Sequence, residues 1–119
     1  MTPRQQQINQ ELAGQMGFTV LMMNQGGTAP FYQLQEPDKS KYHRWRRTED
    51  EAWADAPAFS CDPAARQRLV EWMATLGQRV QMAFVENLLG QFGSFHYTHV
   101  IRAMTATPDA VAAAALKSV

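Results

Sequence analysis

Apolar positions in this chain return every third or fourth residue in some stretches and every second residue in others. Ile8, Leu12 and Met16 recur at intervals of four while Gln5, Gln6, Gln7 and Gln10 stay polar, which predicts a first helix with one inward face. Ala65, Leu69, Trp72, Met73 and Leu76 fall at i, i+4, i+7, i+8 and i+11 and predict a second. A third begins at Pro108, with Val111, Ala114 and Ala115 on one side. All three share a start signal, since Thr2-Pro3, Asp62-Pro63 and Thr107-Pro108 each put a capping oxygen directly before a proline. The oxygen accepts from the free amides of the first turn, and proline at the first helical position gives up no useful donor. Gln5 stands three residues after Thr2, the spacing of a capping box, and Gly17 and Gly77 suit the stops.

Between the helices the pattern is strand-like. FTVLMM (18–23) is apolar on both faces, which predicts a strand covered on each side; NQGGT supplies turn glycines, and APFYQLQ (29–35) is the expected hairpin partner. Further on, RVQMAFV (79–85) alternates through Val80, Met82 and Phe84, and FHYTHVIRAM (95–104) through Phe95, Tyr97, His99 and Ile101. Val80, Phe84, Val85, Leu88 and Leu89 also fit a helix; the strand reading is preferred because Gly77 breaks the preceding helix. Residues 36–59 match neither period and read as a long connection, where function often sits. The expectation is a single α/β (α+β) domain over 1–119, a layered sandwich in the order α-β-β-α-β-β-α with a mostly antiparallel sheet. The small side chains of the last helix would lie close against that sheet.

Charge and cysteine usage narrow the function. The 119 residues carry 11 basic and 11 acidic side chains, a formal net charge of zero, whereas sequence-blind nucleic-acid binders depend on a positive excess. Cys61 is the sole cysteine, which excludes an intramolecular disulfide and a cysteine-rich zinc site. No secretory leader and no apolar run near 18 residues is visible, so a cytoplasmic protein is expected.

Four segments carry a family resemblance. INQELAGQMGF opens as a helix ending in a Met-Gly-aromatic step, and HRWRRTEDEAWADAP is a central stretch rich in Trp, charge and Pro. AFSCDPAARQRLVEWM runs from an aromatic-Ser-x-Asp step into a long amphipathic helix, and ATPDAVAAAALKSV ends in Ala-Ala-Leu-Lys. In that order they resemble the small bacteriophage and prophage proteins of the phage ABA-sandwich domain family. Val111-Ala112 stands where that family often carries Ile-Cys. The resemblance implies an α/β sandwich and a phage or prophage origin, and it implies no activity.

Walker, dinucleotide-binding and His-Glu-x-x-His patterns are absent from the sequence. His96 and His99 are three apart, so on a strand they point to opposite faces and cannot share a metal, whereas on a helix they would lie together. Cys61 precedes a helix start, where the dipole favours a thiolate, but a small residue before a cap is the plainer reading. Met22, Met23, Met73, Met82 and Met104 read as core filling. No metal, cofactor or catalytic residue is assigned.

KYHRWRRTEDEAW (41–53) is the remaining candidate. Its arginines can pair phosphates and its aromatics can stack on bases, yet Glu49, Asp50, Glu51 and Asp55 nearly cancel Lys39, Lys41, Arg44, Arg46 and Arg47. Trp, Tyr and Arg are also the residues enriched at protein–protein hot spots. The plain alternative is a solvated connection that Trp45 and Trp53 pin to the sheet. The candidate binding residues are Tyr42, Arg44, Trp45, Arg46, Arg47, Glu49, Asp50 and Trp53. The preferred expectation is a non-enzymatic phage or prophage accessory protein that binds a host or phage protein, with inhibition of a bacterial defence nuclease, as by anti-CRISPR proteins, as one form. A nucleic-acid-binding module is the second expectation and an enzyme using Cys61 the third. A copy of the chain itself, paired through a sheet edge or the alanine-rich helix, is a further partner.

Overall fold

The computed structural model describes residues 2–24, 26, 29–39, 41–90 and 106–119. Among them the fold is mixed α+β, with five helices and a two-stranded antiparallel sheet: α1 (Pro3–Gln15), β1 (Thr19–Met23), β2 (Phe31–Gln35), α2 (Glu49–Trp53), α3 (Pro63–Met73), α4 (Gln78–Gly90) and α5 (Pro108–Ser118). The three expected starts form as read. The Gln5 amide donates to Thr2 Oγ1 at 3.2 Å and the Thr2 amide to Gln5 Oε1 at 2.9 Å, a complete capping box. Asp62 Oδ1 accepts from the Ala64 amide, and Thr107 Oγ1 from that of Ala110.

The end of α1 is equally local in origin. The Phe18 amide donates to the Ala13 carbonyl at 2.9 Å and the Gly17 amide to that of Gly14 at 3.2 Å, the paired bonds of a Schellman stop. Gly17 takes φ +100°, and a β-carbon there would also press on Pro37 at 3.3 Å. This turn drives Phe18 into the interior, where it is almost completely buried.

The core lies among α1, α3 and α5. Leu12, Ala13, Leu69, Met73, Val111, Ala112, Ala114 and Ala115 form it together with Phe18, Leu34 and Phe59. The small residues of α5 serve helix packing: its chief neighbours are α4, α1 and α3, where a close approach to the sheet was expected. Alanines permit short interhelical distances as readily as short helix–sheet ones. Long-range polar ties add to this packing, with the Ser60 amide donating to buried Asn9 Oδ1 at 3.0 Å and Arg66 Nε to the Ala106 carbonyl at 3.0 Å.

Four expectations are corrected. Residues 79–85 belong to helix α4, not to a strand: Phe84 and Leu89 are buried and Val80 and Leu88 pack against the core. The alternation of Val80, Met82 and Phe84 misled because both periods share Val80 and Phe84; Met82, which only the strand reading buries, is exposed. Gly77 separates α3 from α4, and Gln81 Nε2 bridges the join by donating to the Ala74 and Leu76 carbonyls. Second, β1 is not covered on both faces, since Leu21, Met22 and Met23 are 46%, 58% and 42% exposed. Third, of the described methionines expected in the core, Met73 alone is buried, while Met22, Met23 and Met82 face solvent. Fourth, the connection over 36–59 contains α2, capped by Thr48, whose Oγ1 accepts from the Glu51 amide. The expected strand over 95–104, with His96, His99 and Met104, lies outside the described residues.

Candidate functional site

The sheet register sets the frame for the 41–53 stretch. Met23 faces Phe31, Leu21 faces Gln33 and Thr19 faces Gln35, and these pairs share one side; Val20 and Leu34 share the other. Leu34 is fully buried and Val20 packs on the core, so that second side is the inner one. Leu21, Met23 and Phe31 therefore lie outward, and all three are exposed.

Residues 42–46 run antiparallel along the edge of β2 that faces away from β1. Tyr32 and Arg46 exchange both backbone hydrogen bonds, at 2.8 and 2.6 Å, and Tyr42 bridges Gln35. Between these bridges β2 advances three residues (32 to 35) and the loop four (42 to 46), so the loop carries a bulge at His43-Arg44-Trp45. The bulge does not leave its polar groups bare, because Gln33 Nε2 donates to the His43 carbonyl at 2.5 Å and Gln35 Nε2 to Gln33 Oε1 at 2.6 Å. That network explains why Gln33, on the outward side, is buried.

The candidate residues separate into two groups. Tyr42 is 88% exposed, Trp45 is 39% exposed, Arg44 is exposed, and the Arg47 guanidinium stands over the Phe31 ring at 5.0 Å. Arg46 is not with them. Its bridge to Tyr32 turns it to the inner side, where it grips Asp55 through two hydrogen bonds of 2.9 and 2.6 Å. Hydrogen bonds from Arg46 hold the Asp55 carboxyl below its ordinary range against the opposing effect of burial, and the charges of Arg46, His43 and Arg44 act in the same direction.

Trp53 is half-buried and packs against the core. Glu49, Asp50 and Glu51 form the first turn of α2, where the helix dipole favours negative charge. Asp50, Glu51 and Trp53 line a groove of about 610 Å³ against Gln6, Gln10 and Glu11 of α1. The fold thus places Tyr42, Arg44, Trp45 and Arg47 on or beside the bulged loop, turns Arg46 inward to Asp55, and sets Glu49, Asp50 and Trp53 on α2.

Residues absent from the sequence-level candidates complete the surface: Leu21, Met23 and Phe31 bring exposed apolar area to the outward side, while Met22, also exposed, lies on the Val20 side. No local signal marked them, because an apolar strand reads as a buried one until its neighbours are known. The short helix did have a signal in Thr48-x-x-Glu51, the spacing of a capping box. Cys61 is exposed, with Sγ 3.5 Å from Ser60 Oγ. Among the described residues no group of three His, Cys, Asp or Glu is placed to hold a metal, and no helix is long and apolar enough to cross a membrane. No family model, curated protein or solved structure matches the chain.

Proposed function

We propose that the protein is a non-enzymatic binding protein that docks a protein partner through the outward side of the hairpin and its bulged loop. The observation that carries this reading is the exposure of Leu21, Met23 and Phe31 beside Tyr42, Trp45, exposed Arg44 and the Arg47 guanidinium over the Phe31 ring. Apolar area of this kind favours burial against a complementary surface, and aromatics with arginine form the anchors that carry most interface energy. Arg47 over Phe31 joins the two chemistries at one point. The apolar share also favours a protein over a nucleic acid, whose backbone would reward additional cations instead.

The resemblance to phage ABA-sandwich proteins supplies the partner class in this proposal: a host or phage protein, with a bacterial defence nuclease as the concrete case. A layered sandwich is the finer fold reading that goes with it.

The test is affinity capture from bacterial and phage-infected lysate, with and without nuclease, comparing wild type with a double Arg44→Glu, Arg47→Glu variant and with Leu21→Ser. Arg46 is left intact because its loss would unpair Asp55. A protein that survives nuclease and is lost from both variants is the expected result. Retention of that protein by both variants, or capture of nucleic acid alone, overturns the reading.

A further inference from the structure

The proposed surface depends on the conformation of a bulge, and one buried residue outside that surface reaches it. Glu36 follows β2 directly and is 6% exposed. Its Oε2 accepts from Arg68 Nη2 at 2.8 Å, and its Oε1 lies 3.1 Å from His43 Nε2. A carboxylate removed from water needs such partners. On one side, then, it is tied to the middle of α3, where the Arg68 guanidinium is itself held over the Phe18 ring at 5.1 Å. On the other side it is tied to the first residue of the bulge.

His43 is gripped twice, its ring by Glu36 and its carbonyl by Gln33. Arg44 and Trp45 follow at once, and the chain rejoins β2 at Arg46. The direction in which Arg44 and Trp45 leave the sheet is therefore set at two points, His43 and Arg46. Glu36 connects the first of them to the core.

Resting on the binding reading above, we propose that Glu36 is the positioning residue of this surface: anchored by Arg68, it holds His43 and so fixes the Arg44–Trp45 bulge in its docking conformation. Glu36 touches no partner itself and acts through His43. The charged groups facing it are Arg68 from α3 and His43 from the loop, and the Lys39 amide caps its carbonyl at 3.1 Å. His43 in addition lies within electrostatic reach of Asp55, which Arg46 already pairs. Burial works to raise the Glu36 carboxyl, but the hydrogen bonds and charges of Arg68 and His43 outweigh it and hold the group below its ordinary range. The positioning is accordingly present above the ordinary glutamate range and is lost as pH falls through the lowered one.

Amide hydrogen exchange by NMR on the free protein tests this without a partner. The readout is protection at Tyr32 and Arg46, which exchange the bridge bonds, relative to Leu12, Leu69 and Ala112 in the core helices. Glu36→Gln and His43→Ala are expected to lower bridge protection about tenfold relative to the core, the scale of one lost charge-assisted hydrogen bond. His43→Gln, whose amide can donate to the same oxygen, restores most of what His43→Ala loses. In wild type the relative protection falls on acidification below the ordinary glutamate range; in Glu36→Gln that step is smaller, and the remainder is the part that Asp55 contributes through Arg46 and that Asp55→Asn removes. Unchanged bridge protection in both Glu36→Gln and His43→Ala overturns the proposal. So does an equal loss at bridge and core, which would make Glu36 a general structural residue. Should Glu36→Gln fail to fold, the two His43 variants decide. The two failures remain distinct: Arg44→Glu, Arg47→Glu tests capture and leaves the bridge protected, whereas the Glu36 and His43 variants are read in the free chain.

Discussion

The helical half of the molecule and its hairpin half use apolar residues in opposite ways. In α1, α3 and α5 the large and small apolar side chains meet: Leu12, Leu69, Val111, Ala112, Ala114 and Ala115 are fully buried. In β1 the run Leu21-Met22-Met23 is as apolar as any helix face, yet each residue keeps two-fifths or more of its surface in water. The helices are self-sufficient, with caps and stops made from their own residues and a core that removes apolar area from solvent. The hairpin instead rests on the core through Val20 and Leu34 and presents its other side outward. The contrast shows that apolar composition marks candidates for burial but does not say what buries them. A helix face here is buried by the chain itself, and the outward hairpin side is what a partner would cover.

That contrast can be broken most forcefully in the core. Leu69→Ala or Phe59→Ala is expected to destabilise the fold by ~3–5 kcal/mol, as denaturant unfolding would measure. If either left stability unchanged, the helical half would not be the stabilising one.

Acid should give the next largest effect, and it acts where the two halves meet. Glu36 and Asp55 both have carboxyls held below their ordinary range. A depressed folded value contributes stability above the unfolded range and loses it as pH falls through the folded one. Thermal unfolding should therefore show a midpoint that drops below about pH 4.5, the ordinary carboxylate range. Glu36→Gln and Asp55→Asn should each flatten part of that drop.

Removing a cap is a smaller, local test. Thr48→Ala should cost about 1 kcal/mol or less because α2 is short and its cap exposed, and Asp62→Ala about 1 kcal/mol at the start of α3, both measurable by chemical denaturation.

The smallest effect on stability is expected at the outward side. Leu21→Ser and Trp45→Ser should change unfolding free energy by no more than about 0.5 kcal/mol. The same substitutions should weaken partner capture strongly. A core-like loss of stability at Leu21 would place it with the helices and remove the contrast.

Much of the helical half was legible in sequence. Thr2, Asp62 and Thr107 cap where the residue types and spacing indicated, and Ile8, Leu12, Ala65, Leu69 and Met73 are buried at their periodic positions. The hairpin too was legible as two strands. Residues 79–85 were misread because a seven-residue window holds barely two helical turns, in which both periods share positions. Of the candidate site, the loop and its exposed Tyr42, Arg44, Trp45 and Arg47 were legible as a concentration of arginine and aromatics. Arg46 could not be told from Arg44 and Arg47, since only the bridge to Tyr32 turns it inward to Asp55.

The sequence by itself determined what depends on near neighbours: where helices start and stop, which helix face is apolar, and where cation and aromatic residues concentrate. These follow from bonds between residues two to five positions apart, such as Thr2 with Gln5 or Phe18 with Ala13. Tertiary structure alone decided which apolar strand stayed exposed, which arginine was consumed by an acid, and that Glu36 would meet both His43 and Arg68. The pairings among them join residues 7 to 32 positions apart, from Glu36–His43 to Glu36–Arg68. Contacts of that span are set by how whole elements pack, and residue types in a local window do not record them.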